Sequence, residues 1–291
     1  MSSGCSSSNH NGLSDQFKKY WYQGKAEISR YELEQARYGQ IHRGNAVLIF
    51  VTEDFLIDKQ VKYEQGNFSR IINVLKMNSM RSFITGVYSY STMISVFTPI
   101  EIARWNRTLK VASSIQEWCG QTYTQLNYRK GSYNIDAHSY FQNEADQNYS
   151  LKPVLLEDDI WNRIRLNPEL LPVGNISMIP GFQYASMEHV PLAVEKAKAT
   201  LQIIEDPILF GDTMVQYKIE YKDLKRKLTI NFEKSFPHMI LAWEEEYMSV
   251  SGGTKKVMKT RAVKTHTLIL DYWNKHSPSD LHYREQLGLR Q

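Results

Sequence analysis

The sequence predicts a mainly β protein: a curved antiparallel sheet or half-barrel with a C-terminal meander and one or two short helices. Three observations predict it. Tyr, Trp and Phe number 18, 6 and 11 and make up 12% of the chain, and such rings favour the half-buried, pleated surface of strands. Apolar and polar residues alternate with period two through much of the C-terminal third, as one-sided strands require. Gly and Pro punctuate these runs at Gly44, Pro99, Gly131 and Gly252-Gly253, where they end strands or make turns.

With 291 residues, the chain can bury roughly three quarters of its unfolded surface around one core. We therefore expect a leader over residues 1–16 and one β-rich domain over residues 17–291. Hydrophobic residues are 42% and charged residues 23% of the total, which is ordinary globular usage. A net charge of +4, from 35 basic and 31 acidic residues, gives no strong positive field, and nucleic acid is set aside as a partner. The longest apolar runs, such as Ala46 to Val51 and Met239 to Trp243, fall well short of the roughly 18 residues of a spanning helix.

The leader, MSSGCSSSNHNGLSD, is rich in Ser, Asn and Gly, has almost nothing to bury and is expected to be flexible. Core residues begin with Phe17 and Tyr20 to Tyr22. A cysteine, Cys5, followed by a Ser-rich tether and a folded body is similar to the mature start of a bacterial lipoprotein. No apolar segment precedes Cys5, and Ser2 stands where the lipidation motif has Leu. A signal peptide replaced by a short Met-Ser-Ser start would account for both. Acyl chains on Cys5 would contribute about 0.8 kcal/mol per buried methylene to membrane anchoring.

From Trp21 to Arg37 and from Ala46 to Val51 we read two strands. Phe83 to Thr98 reads as a third, with Tyr88, Tyr90, Thr92, Ile94 and Val96 on one face and Pro99 ending it. Two runs between Gln121 and Gln142 flank Lys130-Gly131-Ser132 as a hairpin. Glu157 to Arg165 is the helical exception: Ile160, Trp161 and Ile164 recur at helical spacing, and Glu157, Asp158 and Asp159 suit the positive end of the helix dipole. Met178 to Tyr184 reads as a turn entering a strand; Ala193 to Ile204 has alanines and lysines that permit a helix, but Ala199, Leu201 and Ile203 alternate and favour a strand from about Ala197. The last third gives four antiparallel strands: Tyr217 to Tyr221, Leu228 to Phe232, Met239 to Tyr247 and Val257 to Leu270.

Chemistry is sparse. Cys119 lies in Gln116-Glu117-Trp118-Cys119-Gly120, and a nucleophilic thiol needs a lowered pKa and a partner histidine. A disulfide with Cys5 has no support from spacing. The eight histidines form no metal-ligand pattern, although His138 could join Asp136, Glu144 and Asp146 in a polar cluster. Glu244 and Glu246 share a strand face beside Trp243, an arrangement that could serve glycoside hydrolysis or a solvated salt-bridged strand. Lys225-Arg226-Lys227 and Lys255 to Lys264 read as edge protection, or as a weak membrane-surface patch. No cofactor motif occurs.

The body resembles a group of uncharacterised lipoproteins of Bacteroidota-type bacteria, some of which carry the label septum formation inhibitor Maf. The resemblance rests on Tyr20-Trp21-Tyr22-Gln23-Gly24-Lys25-Ala26-Glu27, on Ser113 to Asn127 and on Leu156 to Gly174. A Maf nucleotide pyrophosphatase opens with a strand and a Ser-x-Arg motif; this chain does not, so no catalytic residue carries over. The resemblance implies lipidation at Cys5 and an envelope location. Ser6 to Asn11 lacks the acidic export signal of surface lipoproteins in that group, which implies the periplasmic face of the outer membrane.

The expectation is thus a non-catalytic outer-membrane lipoprotein, held by lipid through an acyl anchor. It would bind an apolar, lipid-like ligand or serve as an accessory subunit of an envelope complex. An envelope hydrolase using Glu244, Glu246 or Cys119, and a cell-wall glycan binder using a Tyr/Trp platform, are the alternatives.

Overall fold

In a computed structural model, the structure describes residues 13–205, 213–251 and 254–289. Of the expected leader, residues 1–12, including Cys5, lie outside them. Asp15 and Gln16 already belong to helix α1 (Asp15–Trp21), which Ser14 caps by accepting from the Phe17 amide at 3.2 Å. The strands that follow are β1 (Ala26–Arg37), β2 (Gln40–Leu56), β3 (Val61–Lys62), β4 (Ile71–Thr85), β5 (Tyr88–Pro99), β6 (Lys110–Glu117), β7 (Gly120–Arg129), β8 (Ser132–Ser139), β9 (Gln147–Leu151) and β10 (Leu155–Leu156). Helix α2 (Glu157–Leu166), β11 (Gly174–Ile179) and helix α3 (Phe182–Glu188) come next. Then come β12 (Glu195–Glu205), β13 (Thr213–Tyr221), β14 (Arg226–Glu233), β15 (Ile240–Ser251), β16 (Thr254–Leu270) and helix α4 (Leu281–Gln286).

The mainly β expectation holds, as one open, curved sheet of 16 strands. Its order is β10-β11-β12-β13-β14-β15-β16-β1-β2-β4-β5-β6-β7-β8-β9, with β3 on β2. Every pairing is antiparallel except β10 with β11. The two edge strands of the main path are consecutive in the chain, separated by residues 152–154. A three-residue link reaches only about 14 Å, so the sheet curls until its edges almost meet.

The expected C-terminal meander is β13 to β16, and the hairpin about Gly131 is β7 and β8. Three readings change. Trp21 ends α1 rather than opening a strand; Phe83 to Thr98 is a hairpin of β4 and β5 that turns at Gly86 (φ 62°); and Met178 to Tyr184 enters α3, not a strand. Gly44 sits between β1 and β4, where any Cβ would come within 2.7 Å of Phe83 Cβ and nearer still to a backbone oxygen. Only glycine lets these strands approach so closely.

The register gives the barrel two rims. Leu13 and Tyr22 share a crevice with Ile57, Ile71 and Ile100, the proximal ends of β2, β4 and β5. The β4–β5 and β6–β7 turns and the β13–β14 turn lie at the opposite, distal rim. Inside, α2 runs from the distal rim to the proximal one, and its residues Glu157 to Arg165 are buried all round. The main apolar core surrounds it, from Phe17 through Tyr31, Phe50 and Ile94 to Trp243 and Ala262.

Candidate functional site

Nine charged side chains are buried among the described residues, and all lie on α2 or the walls that face it: Glu27, Arg81, Glu157, Asp158, Asp159, Arg163, Arg165, Arg226 and Glu245. An unpaired buried charge costs several kcal/mol, so each must find a partner. At the proximal end the Arg165 guanidinium donates to both Glu27 oxygens at 2.5 Å and to Pro237 O at 2.9 Å, and the Tyr20 hydroxyl donates to the same carboxylate. Burial pushes the Glu27 carboxyl up, but Arg165 overrides it and holds the group below the usual carboxylate range. Midway, Asp159 accepts from Thr98 Oγ1 and from Arg163 Nε, each at 2.5 Å. Asn162 donates to Leu75 O at 3.0 Å and to Thr98 Oγ1 at 2.9 Å.

At the distal end the ions form a chain across the lumen. Arg81 Nη2 donates to Glu245 Oε1 at 2.6 Å; Arg226 Nη2 lies 3.8 Å from Glu245 Oε2 and donates to Glu157 Oε1 at 2.7 Å. Two cations there match two anions. Asp158 is the remaining carboxyl, accepting from the Phe182 amide of α3 at 2.9 Å. Burial first, and then the Glu157 charge, push its pKa up to about 7.

That shift has a sign. An unfolded Asp titrates near about 4, so between about pH 4 and 7 the folded state holds a proton that the unfolded state lacks. Stability from this group is complete below about pH 4 and is lost as pH rises to about 7. Glu27 and Glu245, with lowered pKa values, act oppositely but at more acid pH. The urea midpoint should therefore fall more from about pH 5 to about pH 8 in the parent than in Asp158→Asn, which keeps an acceptor for Phe182. Equal slopes would refute the assignment.

Away from the apolar patch of Ile28, Ile49 and Val51 that Leu287 covers, the outer face carries two kinds of surface. Over β12 to β16 it is a charge ladder in register, Lys198, Glu220, Lys227, Glu246 and Lys259. Lys227 Nζ is 2.9 Å from Glu246, and Lys259 Nζ is 2.9 Å from Glu244 and 3.4 Å from Glu246. Slight burial raises the Glu246 carboxyl, but Lys227 and Lys259 override it and hold the group ionised. Glu246 is thus not poised as the protonated acid of a glycoside hydrolase. Of Lys225-Arg226-Lys227, Arg226 points inward and is buried, while Lys259 and Lys264 answer Glu244 and Glu233.

Over β6 to β9 the same face is uncharged for the most part and rich in amides. Tyr123 OH donates to Gln125 Oε1 at 2.9 Å and Gln125 to Asn127 Oδ1 at 2.7 Å; Ser150 donates to Asn134 at 3.1 Å. At the distal end of this face an open cleft of about 750 Å³ lies between Trp118, Tyr123 and Tyr140. Those three rings are 71%, 42% and 76% exposed. Trp118 and Cys119 form the two-residue turn of the β6–β7 hairpin, fixed by the Cys119 amide donating to Glu117 Oε2 at 3.0 Å.

Cys119 is free and exposed. It shares this cleft with His138, whose Nδ1 is 3.1 Å from Asp146. The hydrogen bond and charge of Glu117 push the thiol up, the reverse of what a nucleophile needs. The expected cluster about His138 divides: Asp136 takes Asn148, and Glu144 takes His189. That His189–Glu144 pair was not legible in the sequence, because 45 residues separate its members. Arg37 Nη2 lies 3.5 Å from His189 Nε2.

Among the described residues no group of three or more His, Cys, Asp or Glu could hold a metal ion, and no helix is long and apolar enough to cross a membrane. No family model, no curated protein and no solved structure matches the chain.

Proposed function

We propose that this protein is a non-catalytic lipoprotein of the cell envelope, tethered by acylated Cys5 to the periplasmic face of the outer membrane and acting as an accessory, ligand-presenting subunit. The observation that carries the reading is the polarity of the barrel. The chain enters at the proximal rim, beside Ile57 and Ile71, whereas the exposed rings of Trp118 and Tyr140 stand at the distal end. From the proximal end of β5 to the level of Gln116 is eight residues, or roughly 26 Å of strand. A tether at Cys5 therefore sets the amide and aromatic face away from the bilayer. Between the two occupants considered for the sheet, a partner on its outside is favoured over an apolar ligand within it, because α2 and the core fill the concave side.

Envelope fractionation of the native host with mass spectrometry of the N-terminal peptide tests the reading. The expected result is protein in the outer-membrane fraction, with diacylglyceryl and amide-linked acyl mass on Cys5, and release of the protein by Cys5→Ala. Soluble, unacylated protein in that host would overturn it.

A further inference from the structure

We infer that the cleft between Trp118, Tyr123 and Tyr140 is a binding site for an uncharged oligosaccharide, specifically the amino-sugar strand of a cell-wall polymer. The inference rests on the envelope reading for the choice of polymer, and on the cleft alone for the chemistry. A sugar ring presents two surfaces: a patch of C–H groups, which packs on the face of an aromatic ring, and a belt of hydroxyl and amide groups, each able to donate and accept. The cleft supplies both complements. Its rings are large and exposed. Its polar lining includes Ser114, Gln116, Gln121 and Ser139, groups that both donate and accept, beside Glu117 and the His138–Asp146 pair, whose carboxylates add acceptors for hydroxyls.

The backbone beneath the rings is held in place. Trp118 is displayed on a two-residue hairpin turn that the Cys119 amide fixes by donating to Glu117, so little backbone freedom is lost when a ligand docks. Tyr140 packs directly over Gly120, where an added Cβ would come within 2.9 Å of the ring; the missing side chain is what seats it. The Tyr140 amide donates to Gln121 O at 3.3 Å and fixes the backbone behind it.

What separates this face from the rest of the outer surface is its rings. On β12 to β16 one row alternates Lys198, Glu220, Lys227, Glu246 and Lys259, and another is the amide ladder Gln202, Gln216 and Asn231. At the cleft, amides and hydroxyls stand beside large rings that are exposed where burial would be expected. An anionic partner would find the lysines of the other face instead, and a purely apolar one would meet unpaired amides in this cleft.

The test uses lipid-free protein with two probes, insoluble peptidoglycan sacculi in a pull-down and N-acetylglucosamine tetrasaccharide in calorimetry. The expected result is retention on sacculi and measurable heat with the tetrasaccharide. Trp118→Ala and Tyr140→Ala should each weaken binding by roughly tenfold or more, with unchanged melting temperature because both side chains are exposed. Gly120→Ala keeps every ring yet displaces Tyr140, so it should weaken binding too. Lys227→Ala, on the charged face, should not. Absence of binding to both probes, or binding that survives Trp118→Ala and Tyr140→Ala together, would overturn the site. Neither outcome bears on acylation of Cys5, so failure here and failure of the envelope reading remain distinct.

Discussion

Arg226→Met should lower the unfolding free energy by about 3–5 kcal/mol, the cost of breaking a buried ion pair by removing one partner. The native guanidinium serves two carboxylates at once, donating to both oxygens of Glu157 and lying 3.8 Å from Glu245. Its removal leaves Glu157 with no cation and Glu245 with only Arg81, in a lumen where neither can reach water. Burial acts against the Arg226 cation, but Glu157 and Glu245 override it and hold the group protonated more firmly than usual. The deficit should shrink as pH falls, since an orphaned buried carboxylate can take a proton instead. Urea denaturation at neutral and acid pH measures both effects. The double variant Arg226→Met, Glu157→Gln should recover part of the loss, and a double variant less stable than the single one would contradict the pairing.

Trp243→Ala should cost a comparable amount, about 3–5 kcal/mol, through lost burial and the cavity left behind. Trp243 on β15 is 1% exposed, with its ring 4.8 Å from that of Tyr31 on β1 and 5.2 Å, edge to face, from that of Trp161 on α2. The Arg81 guanidinium lies 5.5 Å over it. One side chain thus joins two walls of the barrel to the central helix, and its removal loosens all three. Trp243→Phe should lose much less, since most of the contact area remains. A denaturation midpoint for Trp243→Ala close to that of the parent would refute the central position of this ring.

Much of the fold is legible in the sequence because strand alternation is a local property. Tyr217, Ile219 and Tyr221, and then Leu228, Ile230 and Phe232, declare their inward faces without reference to any partner, and the structure buries all six. The hairpin at Lys130-Gly131 is equally local: both residues take positive φ, 50° and 79°, which Gly accepts readily. The helix over Glu157 to Arg165 is visible from its period. The helix α1 is obscured because seven residues, Asp15–Trp21, give too few turns for a periodic signal, and the same holds for α3.

Of the candidate site, the sequence singles out the Trp118-Cys119-Gly120 turn but ties it to the thiol rather than to the ring. The use of Gly120 as a seat for Tyr140 depends on a contact between a hairpin tip and the β8–β9 connection, which no spacing announces.

By itself, then, the sequence determined the mainly β class, the C-terminal meander and the α2 helix. Only the tertiary structure decided that the curved sheet encloses α2 and buries its acids, which the sequence marks as suited to a helix N-terminus but not as buried. The physical reason is range. Alternation and helical period involve neighbours a few residues apart, whereas the partners that make burial of Glu157 and Arg165 tolerable, Arg226 and Glu27, stand 69 and 138 residues away and meet only when the sheet has closed around them.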